Sequence, residues 1–283
     1  MESQILIMKN RIEKSYFKYI IYINIIIFVL FNLFSLTLPH LLNVEQNNLF
    51  INSLGLSTNM NLLIKQPWTI FTHMFIHTDF IHLIINLCWL YFGGKIFINY
   101  LNNTEFLSTY IMGGLIGGIV YIISYNIFPA FEIVKYSSLA IGSSASVLAI
   151  LLASATFVPN LDINIANLKL KHIAILAVLI DILSITKGNT GGHIAHLAGA
   201  LYGFVYIQLK KYHFNTNFFI NYIIQLCKID KPKSFKSKRE NDYEYNTRKN
   251  NETKVLNSIL EKISKSGYES LSKEEKEILF NQK

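Results

Sequence analysis

From Tyr19 to Val44 the chain reads YIIYINIIIFVLFNLFSLTLPHLLNV, 26 residues without a formal charge. A helix that crosses the bilayer needs about 20 predominantly apolar residues, so this run is long enough to span. Two further charge-free runs of the same length extend from Phe106 to Phe131 and from Tyr136 to Leu161. Gln66 to Gly94 is interrupted only by Asp79, Ile173 to Thr186 only by Asp181, and Gly188 to Leu209 is uncharged. The pattern predicts an all-α membrane protein with six transmembrane helices over about residues 19–38, 80–98, 106–127, 142–159, 170–186 and 191–209. The first run is much longer than a signal-peptide core and lacks a small-residue cleavage site, so it is expected to be a retained helix.

Composition agrees with that pattern. Of 283 residues 51% are apolar and 16% charged, against about 25% charge in soluble domains. Disorder is excluded by the apolar content. A disulfide scaffold is excluded because Cys88 and Cys227, far apart, are the two cysteines; both are expected to be inert thiols. The net charge of +8 is unevenly spread: residues 19–209 hold six basic and six acidic side chains, so the excess lies in the flanking segments.

Lys9, Arg11, Lys14 and Lys18 precede the first run, and Lys210 and Lys211 follow the last. Basic residues mark cytoplasmic ends, which predicts both termini in the cytoplasm and the protein in the cell membrane. The organisation expected is a cytoplasmic segment 1–18, a membrane domain 19–209, an amphipathic and basic linker 210–250 and a helical hairpin tail 251–283. Within the linker, Phe218, Phe219, Tyr222 and Ile223 suit a membrane surface. Six basic residues between Lys228 and Arg239 suit acidic lipid headgroups, a better match than nucleic acid for a chain of this kind. In the tail, Val255, Leu256, Ile259, Leu260 and Ile263 follow helical spacing, Gly267 stands where a C-terminal cap would, and Ser272 with Glu275 forms a capping-box signature. The tail's partner is left open.

Strongly polar side chains inside spans are costly and mark function. Here they cluster: His73, His77 and His82 lie at the second span, Ser143, Ser144 and Ser146 at the fourth, His193 and His196 at the sixth. With a cytoplasmic N-terminus these three spans all run inward from the outer surface, so the clusters share one depth. A serine hydroxyl beside an imidazole can perform acyl transfer. His82 and Asn86, four residues apart, share a helix face and can donate to an oxyanion, as can the free N–H groups that open the fourth helix. Gly191, Ala195, Gly199 and Gly203 form a small-residue stripe that admits a neighbouring helix. At about 100° per residue His196 lies about 60° from Gly199 and about 20° from Gly203, whereas His193 is about 120° and about 80° away, which favours His196 at the contact.

His73-Met-Phe-Ile-His77-Thr-Asp-Phe-Ile-His82-Leu-Ile-Ile-Asn86, Gly142-Ser143-Ser144-Ala145 and Ala195-His196-Leu-Ala-Gly199-Ala-Leu-Tyr-Gly203 occur in that order on alternate spans. Together they resemble the motifs of the rhomboid family of intramembrane serine proteases, over about residues 60–209. The resemblance implies a rhomboid-like six-helix bundle that cuts transmembrane segments of other proteins, without cofactor or metal. It also implies Ser144 as nucleophile and His196 as base, a dyad lacking an acidic third member. His82, Asn86 and the Ser144 N–H would form the oxyanion hole, with Gly142, His77 and Gly199 in support. One departure stands out: many members carry Trp-Arg in the first outer loop, whereas Trp68 is followed here by Thr69.

Ser143 and Ser146 are rival nucleophiles, His193 is a rival base, and Asp181 is expected to make a polar contact between helices. The five histidines could ligate a metal in a binding or transport protein, but no H-E-x-x-H motif accompanies them and the serine cluster would go unexplained. The third alternative is a catalytically inactive rhomboid-like factor that binds membrane proteins, against which stands the retention of both Ser144 and His196.

Overall fold

A computed structural model describes residues 15–42, 49–163, 168–214, 257–272 and the positions 217, 220–222, 225, 275–276 and 279. The six longest helices among them are α1 (Tyr16–Leu42), α2 (Phe80–Tyr100), α3 (Asn103–Ile127), α4 (Ser144–Phe157), α5 (Leu170–Ser184) and α6 (Thr190–Lys211). Each coincides with one expected segment. Their ends are set by local chemistry: Asp79 caps α2 by accepting from the His82 N–H, and Asn102 with Glu105 forms a reciprocal capping box at α3.

The chain is a membrane protein, and three of these helices, α1 to the level of Thr37, α2 and α3, are by themselves long and apolar enough to cross a bilayer. α4, with 14 residues, is about 21 Å long at 1.5 Å per residue, less than the roughly 30 Å hydrocarbon thickness. It is also the most enclosed helix, packed against α2, α3 and α6, with α5 on a further side. Small side chains make that possible, and Ala145, Ala149, Ala153 and Ala155 are all buried. α1 lies at the edge against α2 and α3, and its Tyr19, Tyr22, Ile26, Val29 and Leu33 are exposed, as expected of a face turned to lipid.

Glycine governs the inner contacts. On α3, Gly113 faces Ala149, Gly114 faces Ser146, Gly117 faces Ala145 and Ala195, and Gly118 faces His73 and Leu56. On α6, a Cβ at Gly199 or Gly203 would collide with the carbonyl oxygens of Ala145 and Ala149 respectively. Both pairs advance by four residues in the same direction, so α4 and α6 run parallel in backbone contact. Opposite the stripe's start, Gly191 abuts Tyr121 and Tyr125, whose rings continue into a stack with Phe131. At the other end of α6, Lys210 pairs with buried Glu105, tying the last turn of α6 to the first of α3.

A two-stranded antiparallel ribbon was not foreseen: β1 (Leu56–Ser57) pairs with β2 (Leu139–Ala140), Leu56 opposite Ala140. Strands this short carry no periodic signal. The ribbon's role is positional, since β2 leads directly into Gly142 and α4.

Two compact units divide the chain, Met1–Ser234 and Phe235–Lys283. The boundary falls inside the expected linker 210–250. In the second unit the helix over 257–266 ends at Gly267, which has φ 77 and whose N–H bonds the Ile263 carbonyl at 2.9 Å. Ser272 and Glu275 exchange capping-box bonds of 2.7 and 3.2 Å, and Lys262 pairs with Glu275 at 2.8 Å. Residues 1–14, most of the amphipathic stretch around Phe218, Phe219 and Ile223, the basic run 228–239 and Cys227 lie outside the described residues.

Candidate active site

The three serines expected as rivals sit in different surroundings. Ser143 is buried at 1% exposure with its hydroxyl 3.3 Å from His77 Nε2, and Ser146 is buried at 0% with its hydroxyl against Gly114. Ser144, the first residue of α4, is only half-buried. Its backbone N–H, with those of Ala145 and Ser146, precedes the first intrahelical bond, from the Val147 N–H to the Ser143 carbonyl. Such N–H groups lack helical partners and carry the positive end of the helix dipole.

Gly142 shapes the turn before Ser144. Its φ of +108 suits glycine, and a Cβ there would lie 2.8 Å from the His82 ring, so the imidazole rests directly on the turn. The turn is held from behind: the Gly142 N–H bonds the His73 carbonyl at 2.9 Å and the Ser143 N–H bonds His77 Nε2 at 3.3 Å. His73, whose Nδ1 lies 3.0 Å from the Thr69 carbonyl, is wedged against Gly118. Burial pushes both loop imidazoles down, His73 to about 4 and His77 to about 4, so each is neutral at physiological pH. Neutrality suits the position of His77 Nε2 as an acceptor for the Ser143 N–H.

Asn86 is buried on α2, its amide donating to the His82 carbonyl at 3.0 Å and lying 3.4 Å from His77 Nε2. One amide hydrogen is therefore held by the His82 carbonyl and the other is directed at the His77 ring, so the amide must turn before it can donate to anything else. Thr69, the departure in the first outer loop, is buried and donates to the Gln66 carbonyl at 2.7 Å, while the Trp68 indole donates to the Ser53 carbonyl at 2.8 Å.

His196 reaches this neighbourhood through the α4–α6 packing. Ala195 and Ala145 both face Gly117, and Gly199 touches Ala145, so the turn of α6 that carries His196 runs along the opening turn of α4. It is also within electrostatic reach of His82 across from α2. Its Nδ1 lies 2.8 Å from Asp181 Oδ1, and the same oxygen is 2.7 Å from His193 Nδ1. The α5–α6 turn creates this arrangement: Gly188 at φ 103 and Asn189 at φ 47 reverse the chain sharply, so the last turn of α5 faces the first turns of α6. Asp181 was expected to contact another helix; the spacing of 12 and 15 residues to the histidines contains no motif that would have named them as partners.

Asp181, His193 and His196 are of metal-ligating types, with ligand atoms within 4.8 Å of one another. Tetrahedral zinc with bonds of about 2.0–2.2 Å separates its ligands by roughly 3.3 Å. The N···O distances of 2.7 and 2.8 Å are those of charge-assisted hydrogen bonds.

The family model described as the Rhomboid domain matches residues 65–212, just over half of the chain. A family of unknown function, DUF6576, matches residues 240–281. Presenilin-associated rhomboid-like protein A, mitochondrial, from Danio rerio, is 30% identical over 139 residues, which cover 47% of this chain and 35% of that protein. The chain thus spans about a third of the length of that relative.

Proposed function

The chain belongs to the rhomboid family, and from that premise we propose that it is an intramembrane serine endopeptidase that cuts transmembrane segments of other membrane proteins. Ser144 Oγ is the nucleophile and His196 the general base. Oγ attacks a backbone carbonyl of the substrate, the leaving amine departs with a proton from His196, and water then hydrolyses the acyl-enzyme. The developing oxyanion is received by the Ser144 N–H, the His82 imidazole and the Asn86 amide once it turns from His77.

The observation that carries this reading is the backbone contact of α4 and α6 through Gly199 and Gly203. It supports the pairing of His196 with Ser144, the one half-buried serine of the three, which opens a helix whose first N–H groups have no intrahelical partner. Gly142 and His77 support the turn. The wider frame of the proposal is a bundle of six spans in the cell membrane with both termini cytoplasmic. Domain limits are 1–18, 19–209, 210–250 and 251–283, with the linker on acidic lipid. Neither nucleic acid nor a cofactor enters the proposed chemistry.

The test is reconstitution of the full chain in liposomes with a panel of single-span substrates. The parent is expected to cleave, and Ser144→Ala and His196→Ala to lose at least about 10³-fold in rate. A serine-directed fluorophosphonate should label the parent and not Ser144→Ala. Cleavage that survives Ser144→Ala removes the nucleophile assignment, and a parent that binds substrates but cuts none of the panel favours an inactive membrane-protein binding factor.

A further inference from the structure

We infer that Asp181 is a positioning residue for His196, making the site a Ser144–His196–Asp181 relay rather than an isolated dyad. The inference rests on the proposed protease reading and extends it by one residue on a helix that the family resemblance leaves without a role.

Asp181 is buried at 7% exposure in the last turn of α5. Helix carbonyls there carry partial negative charge, which disfavours an anion, and a membrane interior disfavours it further. Something must offset that cost. The hydrogen bonds given to Asp181 among the described residues are the two from His193 and His196, both to Oδ1.

The protonation pattern follows from donor chemistry. An ionised carboxylate only accepts, so each Nδ1 must carry hydrogen. A neutral imidazole with Nδ1–H has its lone pair on Nε2, across the ring and pointing away from Asp181. That is the tautomer a base for Ser144 requires. Without the carboxylate nothing in the contacts of His196 would select it over the other, and the ring could turn about χ2.

During reaction the proton bookkeeping closes without a further reagent. Nε2 takes the Ser144 hydroxyl proton as the Oγ–carbon bond forms and the carbonyl electron pair moves onto oxygen. The imidazolium that results stands beside Asp181, which stabilises the positive charge and keeps its own protonation state. Nε2 then gives its proton to the amine nitrogen as the carbon–nitrogen bond breaks, and deacylation by water repeats the sequence. Among the described residues, charged or titratable groups around His196 include Asp181 on α5, His193 on its own helix and His82 on α2. His193, by sharing Oδ1, fixes the carboxylate against rotation.

The first test needs no turnover. Protein labelled with ¹⁵N-histidine and reconstituted in lipid is expected to place His196, assigned by loss of its signal in His196→Gln, in the Nδ1–H tautomer at neutral pH. An Nε2–H tautomer in the parent overturns the inference whether or not the protein cleaves anything. The second test compares kinetics. Asp181→Asn is expected to lower kcat by roughly 10- to 10³-fold with KM within about twofold, and Asp181→Glu to recover part of the loss. A kcat within about twofold of the parent in Asp181→Asn, with the tautomer unchanged, overturns it, as does parent activity abolished by a chelator and restored by zinc. Failure of the protease reading would be separate, since cleavage would then be absent or indifferent to Ser144→Ala.

Discussion

At Gly142 the backbone has φ +108 and the His82 ring lies where a Cβ would go. Gly142→Ala is therefore expected to lower stability by about 1–3 kcal/mol and to cut the cleavage rate more than that loss explains, because moving His82 disturbs the turn that presents Ser144. Thermal unfolding in detergent alongside the liposome assay checks both, and an alanine variant with parent activity would show that the contact is dispensable. His73 and His77 make a pH prediction. Their folded-state values of about 4 lie below the unfolded value of about 6.5, so the unfolded chain takes up protons first as the medium is acidified. Their contribution is complete above pH about 6.5, declines as pH falls toward about 4, and is flat below. The thermal midpoint should fall over that window, with a shallower slope in His77→Gln; equal slopes would dissociate His77 from the effect. Which serine is half-buried and which are fully buried was hidden in Gly-Ser-Ser-Ala-Ser, because exposure depends on α2 and α3, not on neighbours in the chain.

Among elements, the α4–α6 pair carries most of the site. The stripe Gly191, Ala195, Gly199, Gly203 was legible as a contact face from its four-residue spacing, and the structure divides it, with Gly191 and Ala195 against α3 and the other two against α4. That division could not be foreseen, since a helix face does not name its neighbour. Gly203→Leu is expected to force α6 off α4 at the Ala149 carbonyl and to destabilise by more than about 3 kcal/mol, beyond ordinary overpacking because the obstacle is backbone. A denaturation midpoint close to the parent's would mean the helices separate easily, and the close contact would lose its importance for the dyad. The β1–β2 ribbon lay beyond sequence reading for a different reason: two residues per strand carry no alternation, and the pairing joins positions more than 80 residues apart.

For the whole molecule, the excess of basic residues lies outside residues 19–209, and by the positive-inside bias the proposed topology has both ends in the cytoplasm. In a cysteine-free background, single cysteines at Lys9 and Asn250 should resist a membrane-impermeant maleimide in intact cells and react after lysis, while one at Lys65 should react from outside. The reverse pattern would invert the topology. Sequence alone determined that the chain lives in a membrane, where its long helices run within a few residues, and which motif residues to examine, because bilayer thickness and helical period act on local runs of residues. Tertiary structure alone decided that Ser144 is the half-buried serine, that the Asn86 amide is turned toward His77, and that one Asp181 oxygen stands within hydrogen-bond distance of both His193 and His196. Those facts depend on how closely glycine lets helices approach and on how a left-handed turn at Asn189 folds α6 back on α5, distances that no spacing along one chain encodes.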